Sequence, residues 1–222
     1  MPFKPFSKKG SSASRYCVKS HFVNLLFSGP INVGLPSLIK KLGWEGSAYG
    51  FLEGAVGAGA IAGAAVVWLA KGLRGRFRLI AHFLGLMGMA VAALGTMKSL
   101  GFGLSMMFIT GLTISLVDLP IITYIQTIAA PHMLGRVMSL LTTTSLGLTP
   151  VGYTVTAFLL QHGLVSSQGI LLLSGIAMSI FGLATILLPS FRHMEQHPKW
   201  QQAGPGGAAN AGIEGLAQQA GN

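Results

Sequence analysis

Acidic residues are scarce, with five Asp and Glu against fifteen Lys and Arg, and charged residues make up only 9% of the 222 positions. A soluble domain carries roughly 25%, so this shortage excludes an ordinary water-soluble globule. Cysteine occurs once, at Cys17, which excludes an intrachain disulfide and a cysteine metal cluster. HExxH, GxSxG and phosphate-loop patterns are absent, and the histidines (His21, His82, His132, His162, His193, His197) show no ligand spacing within an apolar run. Nothing therefore supports an enzyme, a metal site or a cofactor. The net charge of +10 does not point to nucleic acid either. A nucleic-acid footprint needs basic residues gathered on a solvated face, and here they fall in short clusters between apolar stretches.

What is abundant is apolar residues, at 51% with a mean hydropathy of +0.62, and glycine, at 31 positions with no Gly-X-Y period. Tightly packed membrane helices use glycine in this way. A helix crosses the hydrocarbon core with about 20 apolar residues. Uncharged runs lie at 20–39, at 46–70 apart from Glu53, at 79–97, at 99–135 apart from Asp118, and at 137–191. The last is the right length for two helices, with the polar stretch from Gln161 to Gly169 as the turn between them. The expected architecture is all-α, with six transmembrane helices near 20–39, 47–70, 79–97, 101–126, 136–160 and 169–188.

Twelve of the fifteen basic residues fall on the side that receives both tails, the 71–78 loop and Arg136. Only Lys40, Lys41 and Lys98 fall on the other side. The positive-inside rule then puts both termini in the cytoplasm of a cell whose cytoplasmic membrane holds the protein. Pro30 and Asn32 interrupt the first apolar stretch, so it reads as an uncleaved first helix rather than a signal peptide. The organisation expected is a basic, disordered tail over 1–19, a six-span bundle over 20–190, and a polar, disordered tail over 191–222.

Val33-Gly34-Leu35-Pro36 in the first span echoes Val117-Asp118-Leu119-Pro120 in the fourth. The copies lie toward opposite sides, as two inverted three-helix units would place them. Three stretches carry a family resemblance: Asn24 to Pro36, Gly50 to Gly63, and Asp118-Leu119-Pro120 through Gln126 and Pro131 to Leu134-Gly135-Arg136-Val137-Met138-Ser139. Over residues 20–190 the chain resembles the carboxyl-terminal half, spans seven to twelve, of the major facilitator superfamily. The branch it resembles is that of the macrolide-efflux and enterobactin-exporter-like drug:proton antiporters. The resemblance implies half of a major facilitator fold, proton-coupled export of small amphipathic molecules, and a partner, either a second six-span half or a second copy. The chain departs from the family in having six spans rather than twelve. Its loop from Leu69 to Arg78 is basic but lacks an Asp. The rival reading is a non-transporting six-span membrane protein, either a truncated gene product or an interaction subunit.

Glu53 and Asp118 are the only acids inside the spans. A carboxylate there costs roughly 3 kcal/mol on insertion scales, which marks both as candidate proton or substrate sites. Glu53 lies about 9 Å from one end of its span and Asp118 about 12 Å from the other, at 1.5 Å per residue. Their depths then differ by roughly 10 Å across a core of about 30 Å. Glu53 borders a stripe of Gly50, Gly54, Gly57, Ile61 and Ala64, and Gly50, Gly54, Gly57, Gly59 and Gly63 are expected to pack helices. Glu53 either serves a proton or merely reaches interfacial water, Ser47 or Tyr49. Pro120 is expected to kink its helix, and Asp118, two residues before it, either caps the local break or works as a gate or proton site at the hinge. Gln126 and Arg136 flank a loop that is either a gate or a topology signal, and the basic loop from Lys71 to Arg78 divides the same way. Pro150, within Gly147 to Gly152, reads as a hinge. Thr142, Thr143, Thr144 and Ser145 either line a polar cavity or bond back to their own helix.

Overall fold

A computed structural model describes residues 27–69, 77–128 and 134–187. Both tails, the loop from Lys71 to Arg76, and Pro131 lie outside the described residues. Among the described residues every element is helical. The first helix runs from residue 27 through a π-helical turn, Pro30–Gly34, into α1 (Leu35–Lys41). It is followed by α2 (Gly46–Leu69), α3 (Phe77–Leu94), α4 (Leu100–Ile128), α5 (Leu134–Gln161) and α6 (Ser167–Leu187). Each helix occupies one of the apolar runs of the sequence, because a helix satisfies its own backbone groups without water. Gly46–Leu69, Leu100–Thr123 and Ser167–Ala184 are long and apolar enough to cross a membrane, and α3 holds a shorter apolar stretch, Leu79–Leu94.

Two helices end on the same device. Gly43 (φ 73°) and Gly163 (φ 66°) take the left-handed conformation that glycine adopts without a Cβ penalty. Gly43 N–H then donates to Lys40 and Trp44 N–H to Ile39, while Gly163 and Leu164 do the same to Leu160 and Leu159. These are Schellman closures, which satisfy carbonyls that a helix end otherwise strands. Each turn reverses the chain.

The helices pack in a definite pattern. α2 lies against α4, α3 against α6 and α4, and α5 and α6 each against the π-helical turn of the first helix. Small residues set these approaches. A Cβ on Gly59 would meet the Phe108 carbonyl, one on Gly63 the Leu112 carbonyl, and one on Gly111 the Val56 carbonyl. Residue numbers rise together across that contact, so α2 and α4 run parallel. Across α3 and α6 they run oppositely, with Gly85 against Gly182, Gly88 against Gly175 and Ser179, and Gly95 against Gln168. Gly29 meets Gly152 and Thr156, which seats the first helix on α5.

Leu35, Leu38, Leu52, Val91, Leu94, Met97, Met107 and Leu171 form a fully buried core toward the Lys41 end. A second cluster of Ile80, Leu84, Met87, Val117 and Met178 lies between α3, α4 and α6. Buried hydroxyls in these layers bond back to their helices, as Thr110 does to the Met106 carbonyl and Ser174 to that of Leu171. The outside is as apolar as the inside. Ile61 (75% exposed), Trp68 (80%), Val155, Phe158, Leu173 and Ile180 point away from the bundle. In water such a surface is an aggregation hazard; against lipid it is the expected one.

Candidate functional site

Glu53 lies in the first half of α2, half-buried. Tyr49, one turn earlier on the same helix, interacts with its carboxylate. A carboxylate beside a phenol can accept its hydrogen bond while ionised. The glycines beside it divide into two sets. Gly59 and Gly63 form the tight seam with α4, as expected for packing positions. Gly50, Gly54 and Gly57 have no atom within 4 Å of where a Cβ would be, so they pack no helix among the described residues. The reason is helical phase: residues 59 and 63 share the face that α4 covers, while 50, 54 and 57 lie on another face. Glu53 borders that open face.

Asp118 follows Ser115 by one turn on α4 and is exposed. Ser115 Oγ donates to the Ala60 carbonyl at 2.8 Å, which fixes that stripe of α4 toward α2. α4 runs unbroken from Leu100 to Ile128 with Pro120 inside it and buried. The helix does not end at Pro120, so there is no helix terminus there for Asp118 to cap. Proline removes one N–H, but neighbouring helices and local adjustment let a packed helix absorb the loss. Along the parallel α2–α4 contact, Glu53 and Asp118 are separated by about 20 Å at 1.5 Å per residue. The separation exceeds the sequence estimate, because contact register sets depth and nominal span ends do not. They form two separate polar points and not one dyad.

The other expected residues are spread out. Gln126 is exposed near the end of α4, Arg136 falls in the first turn of α5, and Pro150 is exposed within an uninterrupted α5. Thr142 Oγ bonds back to the Met138 carbonyl at 3.1 Å, and Thr154 Oγ to that of Pro150 at 2.8 Å. The echoed tetrapeptides sit unlike one another. Gly34 and Leu35 are buried, Gly34 against Ile170 of α6, whereas Asp118 and Leu119 are exposed. Among the described residues no three His, Cys, Asp or Glu side chains group as metal ligands would.

Asn32 is a polar residue that sequence reasoning treated only as an interruption. It is exposed in the π-helical turn, where its Nδ2 donates to the Ser28 carbonyl at 2.9 Å. The turn itself is closed by Leu35 N–H donating to the Pro30 carbonyl. Single π turns inside helices often mark functional positions. Proline followed by Asn was the only available signal. No family model matches the chain, and no curated protein or solved structure does either.

Proposed function

We propose that the chain is one six-span half of a secondary-active, proton-coupled exporter of small amphipathic molecules, made of two inverted three-helix units in a cytoplasmic membrane with both termini inside. The observation that carries this is the pattern of helix contacts. Exchange the first three helices for the last three, in order. The α2–α4 contact becomes the contact of α5 with the first helix, α4–α3 becomes that of the first helix with α6, and α3–α6 maps onto itself. All of these are contacts of the chain, whereas the contact of α1 with α2 has no equally extensive counterpart between α4 and α5 among the described residues. An inverted repeat requires this correspondence, and transporters use such repeats to alternate access.

The chemistry supports the same reading. Glu53 borders an open glycine face and Asp118 is exposed, so in lipid each is costly until a partner or water meets it. A second six-span chain, or a second copy, would cover them and leave a substrate path between the halves. The test is to isolate the chain from its membrane in mild detergent and reconstitute it in liposomes with an imposed pH gradient. The associated form is expected to move an amphipathic dye uphill. Glu53→Gln and Asp118→Asn variants should insert and fold but lose that movement. Normal uphill movement by both variants would remove the proton role. Association without any pH-driven movement would favour the interaction-subunit reading, and efflux by a monomer would show that one six-span unit suffices.

A further inference from the structure

A groove of about 690 Å³ lies between the first helix, α5 and the turn into α6, on the end of the bundle away from the basic loop. Three residues of the first helix line it at successive turns. Along that helix Val33 lies farthest from the end, Ser37 one turn nearer, and Lys41 at the end itself, the polar mouth, about 12 Å from Val33 at 1.5 Å per residue. Leu160 of α5 continues the apolar depth, and Gln161 and Ser166 continue the polar mouth. The gradient along the groove therefore runs from hydrocarbon to hydroxyl to ammonium.

The polar groups at the mouth are supplied but not used up. Ser37 Oγ donates to the Val33 carbonyl at 2.8 Å, which neutralises the middle of the groove. Ser166 Oγ accepts from the Gly169 N–H at 3.0 Å, opening α6, so its own hydroxyl hydrogen is left to donate outward. Lys41 is exposed and makes no ion pair among the described residues. A site with donors and a cation at the interface, and methyl groups below, complements an amphipathic anion aligned along the helices.

We propose that this groove binds an anionic phospholipid, with its phosphate against Lys41, Gln161 and Ser166 and an acyl chain laid over Val33 and Leu160. The assignment depends on the helices lying in a bilayer and not on transport, so it stands or falls apart from the exporter reading. A free phosphate shares the headgroup chemistry but has no use for the apolar depth, which is why the lipid is the occupant chosen.

The experiment uses the full chain in detergent, with native mass spectrometry reading bound lipid from an equimolar mixture of phosphatidylglycerol and phosphatidylcholine of matched chains. Phosphatidylglycerol should be retained about fivefold over phosphatidylcholine, the fold-change expected for one lysine at an anionic headgroup. Lys41→Gln should abolish the preference, and Lys41→Arg should keep it, which also shows that substitution at this position is tolerated. Lys98→Gln, which removes a charge from the same end but outside the groove, should leave the preference unchanged. Equal retention of the two lipids would overturn the proposal, as would the same loss in Lys98→Gln as in Lys41→Gln. Displacement of the lipid by inorganic phosphate would overturn it in favour of a free-anion site.

Discussion

At the scale of single residues, glycine does two different jobs in α2. Gly59 meets the Phe108 carbonyl with no room for a Cβ, while Gly57, two positions away, faces open space. Gly59→Val should therefore destabilise the bundle by about 1–3 kcal/mol, the usual cost of forcing atoms into a packed contact. Gly57→Val should leave the stability of the isolated chain nearly unchanged; thermal unfolding in detergent compares the two. A Gly57→Val loss as large as that of Gly59→Val would mean that a neighbour covers the open face. The glycine content was legible as a packing device, and so was the peril of Glu53 and Asp118 in an apolar run. Which glycines make the seam was not. That depends on which of several small-residue stripes meets α4, and α2 is rich in small residues on more than one side.

At the scale of elements, the helices were legible because uncharged runs and their polar breaks mark them directly. The turn at Gly163 was legible too, since glycine just past an apolar run is a helix-ending signal. Proline alone did not say what the surrounding helix does. Pro120 lies inside a helix that continues past it to Ile128. Pro30 accompanies a π-helical turn that no periodicity announces. Between elements, hydrogen bonds are few and testable. Ser115 donates across to the Ala60 carbonyl, whereas Ser105 only bonds back to the Gly101 carbonyl and is exposed. Ser115→Ala should cost about 0.6 kcal/mol, the average for hydrogen bonds between membrane helices, and at most about 1.7 kcal/mol. Ser105→Ala should cost less, and unfolding by a denaturing detergent measures the difference. Equal losses would show that the α2–α4 seam rests on packing alone.

At the scale of the whole molecule, the chain has two surfaces of different character. Large apolar side chains on α2, α5 and α6 face outward, while an open glycine face bordered by Glu53 runs along α2. The four-residue echo of the sequence hinted at a repeat, but its two copies sit in unlike surroundings. The correspondence of helix contacts supports the repeat better, and it could not be read from residues, because it is a property of which helices touch. The exporter reading requires the helices to cross a bilayer in strict alternation. With Cys17 replaced by Ser, single cysteines at Trp44→Cys, His162→Cys and Gly72→Cys can be probed with an impermeant maleimide in intact cells. Labelling of positions 44 and 162 from outside, with position 72 reached only after permeabilisation, is the predicted result. Labelling of position 72 from outside intact cells would contradict the account.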